Sequence, residues 1–127
     1  MIKILTYIFH ISVLFLIIIS LWPGSLLGYF FYDDWSKQPN LITNPFGTTI
    51  NHFIFYFCVS LLGFLTHVKT KNFKKLVYGL FFLSLILELL HYIIPNRSFQ
   101  PSDLIGNILG VIVAYFIIKI YLFFNKL

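Results

Sequence analysis

The segment Leu87–Asp103 concentrates charge in a chain that contains little of it. Glu88 and Asp103 are half of the four acidic residues in the sequence, and Arg97 lies between them. An ionisable side chain inside a membrane span costs about 2–3 kcal/mol to insert, so such residues usually face a bundle interior and pair with a partner. We therefore expect Glu88 to pair with Arg97 or with a protonated histidine.

Helical spacing predicts further polar neighbours for Glu88. His91 and Tyr92 follow it at positions i+3 and i+4, which share one helix face. His52 and Tyr56 have the same i, i+4 spacing in an earlier apolar run, residues 50–68. A histidine beside a carboxylate can act as a general acid or base, or as a cation that binds phosphate.

The last apolar run begins with another polar group. Asp103 follows Pro101 and Ser102, so we predict that it is a helix N-cap whose carboxylate accepts from free backbone N–H groups. Asn107 and Gly110 continue the same face at i+4 and i+7. We expect Asn107 to join the polar cluster and Gly110 to permit close helix packing.

The composition indicates a membrane protein. Of 127 residues, 59% are hydrophobic and 10% are charged, with a mean hydropathy of +0.90, whereas soluble domains have roughly a quarter charged residues. The net charge is +5, but the lysines flank apolar runs and do not alternate with exposed aromatic residues. We therefore expect no nucleic-acid partner. The single cysteine, Cys58, has no partner for an internal disulfide.

Four apolar runs of about 20 residues cover positions 4–22, 50–68, 76–94 and 104–124, and each is long enough to cross about 30 Å of hydrocarbon. Backbone groups in lipid must be satisfied within the chain, which favours helices. We predict an all-α fold in which residues 1–127 form one domain, a small bundle of four transmembrane helices.

The loops predict the orientation of this bundle. Four lysines and no acid lie between the second and third runs: Lys69, Lys71, Lys74 and Lys75. This loop should face the cytoplasm, and so should both termini, near which Lys3, Lys119 and Lys126 lie. The long loop 23–49 then lies outside, and we expect its aromatic stretch, GYFFYDDWSKQPN, to lie in the headgroup zone.

In this orientation three helices deliver their polar residues to one outer-leaflet cluster: His52, Tyr56, Glu88, His91, Arg97, Asp103 and Asn107. No recognised metal-ligand spacing or nucleophile motif is present, so we expect no metal and no cofactor. The cluster could bind a ligand, perform acid/base chemistry, or hold the helices in register.

The order of these residues resembles the VanZ-like family of small bacterial integral membrane proteins. Three segments carry the resemblance: HFIFY with His52 and Tyr56, ELLHYIIPNR with Glu88, Pro95 and Arg97, and DLIGNILG with Asp103, Asn107 and Gly110. Residues 48–118 are covered. The chain departs from the family pattern at Thr48 and Thr49, where an Asp-Lys pair is usual, and at His91, which replaces a glutamine.

The resemblance implies a multi-pass protein of the bacterial inner membrane that acts at the cell envelope, with a link to teicoplanin susceptibility. The implied partners are membrane lipids, in particular an anionic lipid headgroup or a lipid-linked cell-wall precursor. Two alternatives remain open. One is an intramembrane enzyme with His52 or His91 and Glu88 as acid and base. The other is a structural or assembly protein whose cluster only fixes helix packing.

Overall fold

The computed structural model describes residues 2–39, 42 and 45–125, and these form five α-helices without a strand. The helices are α1 (Ile2–Leu21), α2 (Leu26–Tyr32), α3 (Thr49–His67), α4 (Phe73–Leu90) and α5 (Pro101–Phe124). The all-α prediction is therefore confirmed for the described part of the chain. Lys126 and Asn40, the last residue of the aromatic stretch, lie outside it.

Three of the helices are long and apolar enough to cross a membrane: Lys3–Leu21, Thr49–His67 and Pro101–Phe124. The other long helix, α4, has 18 residues and contains Lys74, Lys75 and Glu88. Length and composition of the described helices therefore do not by themselves confirm the predicted count of four spans.

The helix α4 ends earlier than the apolar run 76–94 suggested. After Leu90 the backbone N–H groups of His91, Tyr92 and Ile93 bond to the carbonyl three residues back, so residues 91–94 form tight turns. Pro95 accounts for this change because a proline disfavours helical geometry at the residue before it. The side chains that follow Glu88 therefore point in directions that differ from those of a continued α-helix.

The helix α3 makes its most extensive contact with α5. A Cβ atom at Gly106 would lie 2.7 Å from the carbonyl oxygen of Thr49, and one at Gly110 would lie 2.7 Å from that of Phe53. Small residues let membrane helices approach until their backbones touch. Gly106 extends by one turn the small face that the sequence indicated only at Gly110.

The core lies where α3, α4 and α5 meet, and its most buried apolar members are Phe64, Leu80, Val111, Ala114 and Ile118. The helix α1 covers one side of it and contacts α3 and α4. Large apolar side chains such as Ile11, Phe15, Phe116 and Ile120 are exposed. Such outward apolar faces are expected where lipid is the solvent.

The long loop 23–49, which the lysines predict to lie outside and which is called the outer loop below, contains the short helix α2, which the sequence did not predict as a helix. Ser25 caps it, because its hydroxyl accepts from the N–H of Gly28 at 2.9 Å. Its backbone N–H also donates to the carbonyl of Trp35 at 2.8 Å, and the Trp35 ring stacks on Tyr29 at 4.2 Å. A side chain at Gly28 would overlap the Lys37 carbonyl, so the folded loop requires glycine there.

The α3–α5 contact predicts the effect of three matched glycine substitutions. Gly106→Ala and Gly110→Ala should each lower the free energy of unfolding by about 1–3 kcal/mol, because the added methyl group meets backbone atoms. Gly79→Ala, where a Cβ atom meets nothing within 4 Å, should raise it by up to about 1 kcal/mol through helix propensity. Thermal unfolding in detergent measures all three. Equal changes in stability in all three variants would contradict close backbone contact between α3 and α5.

Candidate functional site

The carboxylate of Glu88 is the centre of the polar cluster and is only 1% exposed. One of its oxygens accepts from His91 Nδ1 at 3.2 Å and from the backbone N–H of Gln100 at 3.4 Å. The other accepts from Asn107 Nδ2 at 3.2 Å and lies 3.7 Å from His52 Nδ1. Of the two partners expected for Glu88, the structure places the histidines beside it.

The ring of His52 lies between two oxygen acceptors. The Asn107 amide donates to Glu88 through its nitrogen, so its oxygen faces His52 Nδ1, at 3.0 Å, as an acceptor. On the other side, His52 Nε2 lies 3.4 Å from a carboxylate oxygen of Asp103. A neutral ring could donate to only one of these acceptors, whereas the doubly protonated ring satisfies both.

The second acidic residue of the cluster, Asp103, is not the helix cap that the sequence predicted. The helix α5 begins at Pro101 with Gln100 as its N-cap, because proline is well suited to the first helical position. The Asp103 carboxylate is buried and accepts from the hydroxyl of Thr49 at 2.8 Å and from that of Thr48 at 3.3 Å. It therefore joins α5 to the start of α3.

His91 and Arg97 connect the cluster to α1. His91 Nε2 donates to the carbonyl of Ser20 at 3.0 Å, while its Nδ1 faces Glu88. Arg97 donates to the carbonyl of Ile19 at 2.8 Å and to that of Trp22 at 3.2 Å. These contacts satisfy carbonyls at the C-terminal end of α1, where cations are favourable.

The position of Arg97 differs from the ion pair that the sequence suggested. No hydrogen bond or ion pair joins it to Glu88 in the described residues, although the two are close enough to interact electrostatically. Burial lowers the pKa of the Arg97 guanidinium, and the Glu88 carboxylate opposes that shift. The α1 carbonyls that hold Arg97 are backbone atoms, so no side-chain pattern in the sequence could identify them.

Two tyrosines near the cluster have different surroundings. Tyr92 is exposed and stacks on Phe99 at 4.7 Å, because the turns after Leu90 rotate it away from the face of Glu88. Tyr56 is 2% exposed, and among the described residues its hydroxyl has no hydrogen-bond partner. The Cβ atom of Tyr56 lies close to Gly110 of α5.

A cavity of about 300 Å³ lies beside the cluster, between α1, α3 and the outer loop. Its apolar wall includes Phe15 and Leu16 of α1 and Phe55 and Val59 of α3. Along α1 the lining residues run from position 12 to position 20, a distance of about 12 Å at 1.5 Å per residue. The cavity is therefore an elongated, mostly apolar space.

Polar groups line the end of this cavity that adjoins the cluster. His52, His91 and Arg97 face it from the cluster, and Gln38 lines it from the outer loop. The only cysteine of the chain, Cys58, lines it from α3. Among the described residues, no group of three histidine, cysteine, aspartate or glutamate side chains has the geometry to hold a metal ion.

A family model described as VanZ/LLP1 matches residues 5–124, nearly the whole chain. The chain belongs to the VanZ/LLP1 family. This result confirms the VanZ-like resemblance, and together with the three apolar helices it identifies a membrane protein. No curated protein and no solved structure matches the chain.

The departures of this VanZ/LLP1 protein from the VanZ-like pattern lie in the cluster, at His91, or contact it, at Thr48 and Thr49. Thr49 stands where a lysine is usual, and its hydroxyl donates to Asp103 where an ammonium group would form an ion pair. His91 stands where a glutamine is usual, and it can donate to Glu88 and to α1 at once. One cation is thus lost beside Asp103, and one titratable group is gained beside Glu88.

The geometry around Glu88 predicts a large loss of stability for Glu88→Gln. The substituted amide would turn a donor toward His91 or Asn107 and leave buried partners without their anion, which typically costs about 3–5 kcal/mol. Asp33→Asn removes the same charge from the exposed outer loop and should have little effect. Thermal unfolding of both variants in detergent makes the comparison, and equal melting temperatures would disprove a buried ionic role for Glu88.

Proposed function

We propose that this protein binds an anionic amphiphile of the outer leaflet of the bacterial inner membrane, either an envelope lipid or a lipid-linked cell-wall precursor. The single observation that carries this proposal is the elongated apolar cavity with a cationic outer end. The tail lies along α1 and α3, and the headgroup lies at Arg97. A volume of about 300 Å³ is at the lower end for ligand pockets, so part of the tail remains in the bilayer.

Arg97 is the residue best able to contact the headgroup. It uses two of its five N–H donors on the carbonyls of Ile19 and Trp22, which leaves three for a ligand in the described structure. Guanidinium groups form paired hydrogen bonds with phosphate oxygens. The ring nitrogens of His52 and His91 already face protein acceptors, so these rings hold the cavity wall instead of donating to the ligand.

The proposed site requires α4 to be a fourth span, with both termini in the cytoplasm. The helix α4 contacts α1, α3 and α5, and a connection of only five residues, 68–72, joins it to α3, which favours antiparallel neighbours. Its charges are also accommodated: Lys74 and Lys75 lie in its first turn, where long side chains reach the interface, and Glu88 is paired.

A structural role is the second candidate, and a specific observation favours it. Both oxygens of Glu88 and both oxygens of Asp103 have hydrogen-bond donors inside the protein. A fully satisfied network can serve only to fix α3, α4 and α5 in register. An acid/base enzyme has less support, because either histidine would have to leave an acceptor before its ring could exchange protons with a substrate.

The cavity predicts that ligand binding protects Cys58 from a maleimide. Phosphatidylglycerol added to the full chain in detergent should slow the modification of Cys58, whereas phosphatidylcholine should not. Arg97→Lys should raise the half-protecting concentration about tenfold, since one charged hydrogen bond contributes roughly 1.5 kcal/mol. Lys37→Gln, which removes a cation from the outer loop beside Asp34, should leave protection unchanged.

Several results would decide between the candidates. Equal protection by the two lipids would reject an anionic ligand, and unchanged protection in Arg97→Lys would reject Arg97 as the headgroup contact. In cells, we expect expression of the chain to lower teicoplanin susceptibility and Arg97→Lys to remove that effect. A Glu88→Gln variant that melts earlier but keeps the cellular effect would favour the structural role.

The proposed topology predicts that a green fluorescent protein fused to the C-terminus is fluorescent in bacterial cells, because that protein folds in the cytoplasm. An alkaline phosphatase fused after residue 37 should be active, because this enzyme requires the oxidising outer compartment. The reverse pattern would overturn the orientation inferred from the lysines.

A further inference from the structure

A second groove lies at the opposite end of the molecule from the cluster, between α1 and α4. Val13 and Ile17 form its apolar wall on α1, and Leu76, Leu80 and Leu83 form the wall on α4. Along α4 the lining runs from position 72 to position 83, about 16 Å at 1.5 Å per residue. The volume is about 650 Å³, and the groove is open along its side.

The end of this groove is basic. His10, His67 and Lys75 line it, and three more lysines lie nearby in the chain: Lys69 and Lys71 in the connection 68–72, and Lys74 at the start of α4. All four acidic residues of the chain lie toward the other end, in the outer loop or in the cluster: Asp33, Asp34, Glu88 and Asp103. An anionic group at this end is therefore attracted by the basic side chains and is not repelled by a nearby carboxylate.

The two histidines present their remaining ring nitrogens to a ligand. His10 Nδ1 lies 2.7 Å from the carbonyl of Thr6, and His67 Nδ1 lies 2.8 Å from the hydroxyl of Thr66 and 3.1 Å from the carbonyl of Gly63. A ring whose Nδ1 donates to the protein can also donate to a phosphate through Nε2 only in its doubly protonated form. Nε2 of each ring has no hydrogen-bond partner among the described residues. The ring centroids are 6.2 Å apart, which is close enough for both rings to contact one headgroup.

We infer that this groove binds one anionic phospholipid from the leaflet that contains the connection 68–72, with an acyl chain between α1 and α4 and the phosphate at Lys75, His10 and His67. The apolar length fits a hydrocarbon chain, and the basic end fits a phosphate. The site is separate from the outer cavity, so its existence does not depend on the proposed outer-leaflet ligand.

Gly79 provides a direct test of the acyl-chain position. It lines the groove, and a Cβ atom built there meets nothing within 4 Å. Gly79→Phe should therefore fill the groove without disturbing the packing of α4. Ile86→Phe adds a ring at another exposed position of α4 that does not line the groove, and it is the matched control.

Lys74 and Lys75 provide an equally close test of the headgroup. Both are exposed and adjacent, but only Lys75 lines the groove. Lys75→Gln should lower phospholipid retention about fivefold, since a lysine near an anionic headgroup contributes about 1 kcal/mol, whereas Lys74→Gln should change it less than twofold. If the positive charge of this region attracted the phospholipid only diffusely, removing either lysine would lower phospholipid retention equally.

The experiment is native mass spectrometry of the full chain released from detergent containing equal amounts of phosphatidylglycerol and phosphatidylcholine. In the Arg97→Lys background, which weakens the proposed outer-cavity site, we expect one phosphatidylglycerol that is lost in Gly79→Phe and weakened in Lys75→Gln, but kept in Lys74→Gln and Ile86→Phe. Equal retention of the two lipids, equal losses in the two lysine variants, or retention unchanged in Gly79→Phe would each overturn the inference. A dimer that Gly79→Phe dissociates would instead identify a second copy of the chain as the occupant.

Discussion

The buried carboxylate of Glu88 is the constraint on which the half of this protein that contains the cluster depends. A charge at this depth is unfavourable unless hydrogen-bonding partners surround it. The partners come from three parts of the chain: Asn107 of α5, the His91 ring and the Gln100 backbone after α4, and His52 of α3 nearby. Satisfying one carboxylate therefore fixes the relative positions of α3, α4 and α5.

That arrangement is possible because α3 and α5 touch through their backbones. The glycines at positions 106 and 110 leave no side chain between the two helices, so short side chains such as Asn107 and Asp103 can reach across to α3. With larger residues at the contact, the helices would separate and the bonds from His52 and Thr49 would lengthen. Packing and hydrogen bonding are thus two aspects of one interface.

The two ends of the molecule differ in how their charges are used. At the end that contains the cluster, carboxylates lie beside histidines, and Arg97 has N–H donors that no acceptor in the described part of the chain uses, beside a cavity. At the other end, cations such as Lys75 lie without acids beside an open groove. The same asymmetry of charge that orients a membrane protein by its lysines therefore also makes the two ends of this molecule chemically different.

The sequence by itself determined the helical fold, the membrane setting, the family and the residue types of the cluster, because hydrophobic runs and polar spacing along one helix are local properties. It predicted the wrong hydrogen-bond partners for Asp103 and did not predict that α1 takes part in the cluster. Thr49 meets Asp103, and the Ser20 carbonyl meets His91, only because distant helices pack side by side. Which donor meets which acceptor depends on helix rotation and on where a turn ends a helix, and only the tertiary structure decides these.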